Sequence, residues 1–300
     1  MKRKIALIFV GNGWGAPDMR AANGAGKTAE VLSELLIQED PDIFYMDFHK
    51  PDSLKISKKI SNENLSLHFS QVTEVSQRLS QMVVDVIQKG LFPIVIGGDH
   101  SIAIGTWSGV RLANPMRNFG LLWFDAHMDA HTPETSESQS PHGMPLAVLL
   151  GKGIYEWVNL GKVVPKLYPE NLALLGIRSY EKGEAQLLER NHVKIFYQSD
   201  VEKIGLDVAY QEAHAYVTRT TPYFGLSIDV DVFDPSIAPG TGTTEKNGLM
   251  DKDLLPLIKG LRSNPNCLAL EIAEFNPNKD QDNKTLTLIV NLIQKVLEES

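Results

Sequence analysis

The run VTEVSQRLSQMVVDVIQKGLFPIVIGGDHS, residues 72–101, decides the fold. Val72, Val75, Leu79, Met82, Val83, Val86 and Ile87 recur at spacings of three and four, which gathers them on one face of a helix. Gly90 supplies a helix stop, and 92–96 then reads as a strand apolar on both faces, as a buried parallel strand is. Polar residues follow at once, Gly97-Gly98-Asp99-His100-Ser101. A helix, a strand and a chemically equipped turn in direct succession are the repeating unit of an α/β protein.

The same alternation extends in both directions. Further strands are predicted at 5–10, 120–124, 172–177, 194–197, 224–230 and 268–272. Leu254, Leu255, Ile258 and Leu261 predict another amphipathic helix, with Asp251 as its N-cap, and 286–297 closes the chain in the same way. The expected architecture is one three-layer α/β domain over 1–300, a parallel sheet of about eight strands with helices on both faces. No linker, repeat or shift in composition divides it. Residues 50–70 are polar and irregular and are expected to be surface structure.

Composition narrows the partners. Acids outnumber bases 37 to 29, a formal charge of −8, which argues against nucleic acid and anionic membranes because both require concentrated positive charge. No apolar run approaches the roughly 20 residues needed to span a bilayer. The basic residues 2–4 precede an apolar run too short for an export signal. Cys267 is the single cysteine, so no internal disulfide can form, and a reducing, cytoplasmic setting is expected.

In open α/β sheets ligands bind beyond the carboxyl ends of the strands. Asp125-Ala126-His127-Met128-Asp129-Ala130-His131 follows 120–124, and Ser227-Ile228-Asp229-Val230-Asp231-Val232-Phe233-Asp234-Pro235 runs through and past the strand at 224–230. Extended backbone would bring Asp125, His127 and Asp129 to one side, and Asp229 with Asp231. Two carboxylates about 4 Å apart repel by roughly 4 kcal/mol at an effective dielectric near 20, so four gathered together call for cations. Two divalent ions cancel four negative charges. A set of four Asp and two His without thiolate favours a hard or borderline ion such as Mn²⁺. Taken singly, Asp99 and Asp234 read equally well as turn caps.

These segments resemble the ureohydrolase family of arginases, agmatinases and their relatives. The likeness rests on Gly97–Ser101, on Phe124-Asp125-Ala126-His127-Met128-Asp129, on Ser227 to Pro235, on Ala238-Pro239-Gly240-Thr241-Gly242-Thr243 and on Glu274-Phe275-Asn276-Pro277. It implies a dinuclear Mn²⁺ hydrolase that splits a guanidino compound into urea and an amine by attack of a hydroxide bridging the metals. One ion would take His100, Asp125, Asp129 and Asp229; the other would take Asp125, His127, Asp229 and Asp231. Asp129 would accept the hydroxide proton. Ser138-Gln139-Ser140-Pro141-His142-Gly143 is similar to the arginase stretch in which a histidine moves protons to the leaving amine, which gives that task to His142. Glu274 would hold the guanidinium, with Glu271 in a supporting or structural place, and Thr243, Ser138 and Glu181 would lie near the substrate's tail.

Two departures bear on the substrate. His131 stands where arginases have an asparagine that contacts the α-carboxylate, and Gln139-Ser140 replaces Gly-Asn. L-arginine, yielding L-ornithine, is the expected substrate. Agmatine, a formimidoylglutamase-type substrate or another guanidino acid are the alternatives, as is a metal-binding relative without activity. The family commonly forms trimers or hexamers, so a homo-oligomer is expected.

Other patterns are decoys. Gly24-Ala25-Gly26-Lys27-Thr28 looks like the end of a phosphate-binding loop, but the position that needs the first glycine holds Ala21. Gly11-Asn12-Gly13-Trp14-Gly15 lacks the dinucleotide spacing and reads as a turn opening onto the site's rim. Ser101 lacks a nucleophile-elbow context and is expected to support its turn.

Overall fold

The strand sequences alternate side chains between two apolar environments, and the computed structural model shows both. It describes residues 2–36, 40, 42–48 and 65–299. In β1 (Ile5–Val10), Ile5, Leu7 and Phe9 enter one core, while Ala6, Ile8 and Val10 enter the other. The first core is closed by the helices Asn23–Leu36, Leu206–Val217 and Lys284–Leu297, the second by Leu65–Gln88, Ala103–Ala113 and Lys182–Arg190. A strand covered on both faces can be apolar throughout, which is why these runs looked continuous rather than alternating.

The remaining strands are β2 (Ile43–Phe48), β3 (Phe92–Gly97), β4 (Gly120–Phe124), β5 (Leu172–Ile177), β6 (Lys194–Tyr197), β7 (Phe224–Asp229) and β8 (Cys267–Ala273). All pair in parallel, in the order β2-β1-β3-β8-β7-β4-β5-β6. The three-layer arrangement is therefore as expected, with β2 the strand that the sequence reading did not name. It lies at an edge, and Phe44 stays 43% exposed, so its apolar pattern is only half used.

Three local expectations need correction. The helix at 72–87 starts earlier, at Leu65, so 65–70 are helical rather than irregular, and the rest of 50–70 lies outside the described residues. Asp251 is the first residue of a single turn, Asp251–Leu254, whose N-cap is Met250. That segment then tightens into 3₁₀ turns at Leu255–Ile258 and Leu261–Ser263, because Pro256 cannot continue an α-helix. Strand β7 ends at Asp229, and Val230–Val232 is already a 3₁₀ turn. Gly90 does act as a stop, with φ +74° in the left-handed region. Gly24 to Thr28 lie inside the helix Asn23–Leu36, where no phosphate-cradling loop exists.

Strand order concentrates the chemistry. Four adjacent strands, β3, β8, β7 and β4, send their carboxyl ends to one place.

Candidate metal centre and substrate pocket

Each of those four ends turns sharply, and its side chains help make the turn. The Asp125 carboxylate accepts the N–H of His127 at 2.7 Å, and that of Asp229 accepts the N–H of Asp231 at 2.8 Å. The residues converge as expected, but through these tight turns rather than along extended backbone. Asp99 caps the turn after β3, taking the N–H of Ser101 at 3.0 Å and that of Gly15 at 2.9 Å. Asp234 takes the N–H groups of Ser236 and Asn247. Both are turn caps, and Ser101 braces its turn by donating to Asp99.

His100 is fully buried, and its Nδ1 stands 3.1 Å from Asp229 Oδ2, 3.3 Å from Asp125 Oδ2 and 3.3 Å from Asp129 Oδ2. On the other edge of the ring, Nε2 lies 2.9 Å from Ser227 Oγ, whose hydroxyl donates to Glu271 Oε1 at 2.8 Å. Ser227 therefore accepts from Nε2–H, which leaves the Nδ1 lone pair aimed at the carboxylates. Trp107 Nε1 also donates to Glu271, at 3.1 Å. Trp123 stacks on His100 at 4.1 Å and donates through Nε1 to Asp125 Oδ2 at 2.9 Å. The second histidine, His127, sets Nδ1 3.0 Å from Asp231 Oδ2 and 3.6 Å from Asp125 Oδ1. Ligand atoms of His100, Asp125 and Asp229 lie within 4.8 Å of one another, as do those of Asp125, His127 and Asp231. Asp125 belongs to both sets. Asp129 joins the first only through its contact with His100, and Asp229 stands outside the second.

This donor set fits divalent cations. One ring nitrogen facing three carboxylate oxygens at 3.1–3.3 Å is a geometry that one proton cannot satisfy. Burial raises Asp129 to about 7 and drives Asp229 and Asp231 upward, and neighbouring carboxylates add to each shift. Burial works against charge on His100 and His127, yet the surrounding carboxylates outweigh it and hold both well above the usual imidazole range. An imidazole proton on Nδ1 or a bound cation would each place positive charge against these acids. No Lys or Arg lines the pocket. Hard and borderline donors, oxygen with imidazole nitrogen, suit hard or borderline divalent ions rather than thiolate-seeking ones.

The pocket beside this cluster encloses about 320 Å³. Glu274 lies just past β8 and accepts the N–H of His100 at 2.8 Å and the Nδ1 of His142 at 3.0 Å. Burial opposes the charge on each, but their pairing prevails, pushing His142 up to about 9 and Glu274 down. Asp129 and Glu274 both adopt left-handed backbone, φ +46° and +67°, a conformation that non-glycine residues hold only where their surroundings enforce it. Thr243 Oγ1 donates to Asp231 Oδ2 at 3.4 Å.

At the far end His131 Nε2 stands 3.4 Å from Glu181 and 3.6 Å from Glu184, while Nδ1 lies 3.2 Å from Thr135 Oγ1. Ser138 and Ser140 line this end, but Gln139 turns away and donates to the carbonyls of Pro133 and Ser136. Every site residue read from the sequence except His100 and Asp125 borders the cavity, and those two lie beneath it. Sequence reading missed Glu184 and Glu245 in the wall. Glu184 had a signal, since Glu181 and Glu184 form the capping box of the helix Lys182–Arg190. Glu271 reaches His100 through Ser227, in the supporting or structural place expected of it. The turn 11–15 also departs from expectation. None of its residues lines the pocket, and it meets the site instead through Gly15, which accepts the N–H of His142 at 3.1 Å.

Fold and site together define a metal-dependent hydrolase built at the carboxyl edge of a parallel sheet. The arginase family profile matches residues 30–298, and the chain belongs to that family, so the protein is a ureohydrolase. It is similar to an arginase of Bacillus caldovelox, 39% identical over 228 residues that cover 76% of each chain. An arginase of Staphylococcus aureus (strain MRSA252) is 35% identical over 259 residues, 86% of this chain and 84% of that one. The solved native structure of the Bacillus caldovelox arginase at pH 5.6 superposes with a TM-score of 0.88 at 34% identity, covering 100% of this chain and 99% of that one. Among the described residues, no helix is long and apolar enough to cross a membrane.

Proposed function

We propose that the protein is an arginase, a dinuclear manganese enzyme that hydrolyses L-arginine to urea and L-ornithine, with residues 1–300 as one catalytic domain. The observation that carries this reading is the convergence of His100 and His127 with four aspartates beside a pocket floored by the His142–Glu274 pair. His100, Asp125, Asp129 and Asp229 would hold one ion, and Asp125, His127, Asp229 and Asp231 the other. When bound, the two ions lower the pKa of a water so that hydroxide is available as nucleophile at neutral pH.

The chain's own residues do the rest. Glu274 holds the guanidinium through its paired N–H donors and orients its carbon towards the metal side of the pocket. Asp129 takes the proton released by the attacking water. His142, charged at neutral pH through its contact with Glu274, gives a proton to the departing amine nitrogen. His131, Ser138, Glu181 and Thr243 contact the tail. The pocket supports a small guanidino substrate, and its acidic far wall suits an ammonium group.

His131 keeps a second reading open, because its Nε2 already faces Glu181 and Glu184 and is poorly placed for a substrate carboxylate. Agmatine, the alternative without a carboxylate, would then be preferred. Urea release from L-arginine, agmatine and shorter guanidino acids, measured in one Mn²⁺-loaded preparation with metal content determined, tests the proposal. No urea from any of them would end the arginase and agmatinase readings, and faster release from agmatine would replace arginine as substrate. Cys267, buried and single, fits a cytoplasmic protein. The family resemblance extends the proposal to a trimer or hexamer, which light scattering would test.

A further inference from the structure

Buried histidines are uncommon unless paired, and one of them, His68, lies outside the metal cluster on the helix Leu65–Gln88. It is fully buried, and its Nδ1 stands 2.6 Å from the carbonyl oxygen of Trp14. A carbonyl only accepts, so Nδ1 carries the proton and donates. Nε2 is buried with no partner among the described residues, so the single bond to Trp14 is what the ring is held for. The rings of His68 and Trp14 also meet edge to face, 5.4 Å apart.

Trp14 leads directly to the pocket floor. The next residue, Gly15, gives its N–H to Asp99 Oδ2 at 2.9 Å and accepts the N–H of His142 at 3.1 Å. The strap is tied on its other side as well, since Asn12 Oδ1 takes the N–H of Trp14 at 3.3 Å and Asn12 Nδ2 donates to Ser101 Oγ at 2.9 Å. Gly15 has no room to move inward, because a Cβ there would fall 2.2 Å from Asp99 Oδ1. Residues 12–15 thus form a bridge with His68 fixing one carbonyl and His142 hanging from the next.

We infer that His68 is a positioning residue for His142, acting through the Trp14–Gly15 main chain to set the ring of His142 against Glu274. The inference rests on the proton-handling role proposed above for His142. Metal ligands are not touched by the bridge, so the effect falls on turnover rather than on metal or substrate binding.

Three substitutions separate the hydrogen bond from mere packing. His68→Phe keeps an aromatic edge against Trp14 but has no donor. His68→Asn places an amide N–H where Nδ1 was, and His68→Gln carries its amide one bond too far. In the Mn²⁺-loaded protein we expect Phe and Gln to lower kcat roughly tenfold, with KM and metal content unchanged and with Asn returning most of the loss. In a His142→Ala background, His68→Phe should cause no further loss, because the group it positions is gone. Hydrogen exchange at the His142 amide supplies a readout independent of activity: it should quicken in the Phe and Gln variants and stay slow in Asn. Should Phe not fold, the Asn–Gln comparison decides. Unchanged His142 exchange in the Gln variant, equal impairment of Asn and Gln, or a full extra loss in the His142→Ala background would each overturn the inference. If the unaltered protein released no urea, the arginase reading would fall while the exchange measurement still decided this one.

Discussion

His142 Nδ1 and Glu274 Oε1 lie 3.0 Å apart, and the same carboxylate oxygen accepts the backbone N–H of His100. Glu274 is therefore fixed from two sides while its other oxygen, Oε2, is left for a ligand. Glu274→Gln exchanges an anionic acceptor for a neutral amide and weakens both the guanidinium contact and the hold on His142. A drop of roughly 100-fold or more in kcat/KM is expected, with both metals retained. Steady-state kinetics beside metal analysis checks it, and loss of metal in this variant would contradict the assignment.

His142 and the aspartates should separate in the same pair of measurements. His142→Asn should slow turnover by roughly 100-fold with metal content unchanged. Asp231→Asn should lower metal content as well as rate, because Asp231 Oδ2 is the partner of His127 at 3.0 Å. A metal-replete Asp231→Asn protein would remove that residue from the ligand set.

Adding Mn²⁺ to metal-stripped protein should raise the melting temperature. Asp129, Asp229 and Asp231 are strained towards protonation by burial and by one another, and cation binding relieves this in the folded chain alone. At a free ion concentration 100-fold above Kd the gain is about 2.7 kcal/mol per ion, which for a chain of 300 residues corresponds to roughly 4 °C. Scanning calorimetry with and without a chelator measures it. Na⁺ or Mg²⁺ producing an equal rise would deny any preference for Mn²⁺.

Lys166 gives a test of stability against pH that is remote from the site. It is buried at 2% exposure, donates to the carbonyl of Val158, and burial lowers it from 10.5 to about 8. Below pH 8 both folded and unfolded chains hold this proton, and folding bears the full cost of burying the charge. Between pH 8 and 10.5 the unfolded chain binds more protons, so this residue's contribution rises with pH. Lys166→Met should therefore gain up to about 3 kcal/mol over the unaltered protein at pH 7, reduced by the lost bond to Val158, and the difference should shrink towards pH 10.5. A difference independent of pH in denaturant titrations would contradict the shift.

Two glycines should answer oppositely. A Cβ on Gly98 would lie 1.6 Å from the Asn12 carbonyl oxygen, so Gly98→Ala should cost several kcal/mol, on the order of 3 or more. Gly26, inside a helix with nothing within 4 Å of its added Cβ, should gain about 0.5–1 kcal/mol as alanine. Thermal melts of the two variants suffice, and a destabilised Gly26→Ala would reopen the phosphate-loop reading of that segment.

Much of this was legible in the chain itself, for physical reasons. Buried parallel strands need continuous apolar runs, and the turns beyond them had to carry whatever chemistry the protein performs; His100, Asp125 and Asp229 stood in those turns. What escaped depended on long-range packing. The edge strand β2 needs only half an apolar pattern, and the support of His100 by Ser227 and Glu271 joins β7 to β8 across positions 44 apart. His68 fell in the stretch 50–70 read as irregular surface, and nothing local announces that a carbonyl 54 positions earlier lies within reach. Asp229 and Asp231 do lie side by side, though a 3₁₀ turn rather than extended backbone brings them together.

The place of β8 in the sheet has a consequence for biosynthesis. Among the described strands it comes last along the chain, yet it inserts between β3 and β7, near the middle. Until residues 267–273 emerge, the nascent chain can hold only two separate parallel ribbons, β2-β1-β3 and β7-β4-β5-β6, each with a hydrophobic edge open. His100 sits on one ribbon and the four aspartates on the other, so no half-made chain can bring them together. The His100 site is thereby completed only when β8 joins the halves and brings Glu274 with it, whereas Asp125, His127, Asp229 and Asp231 already share one ribbon.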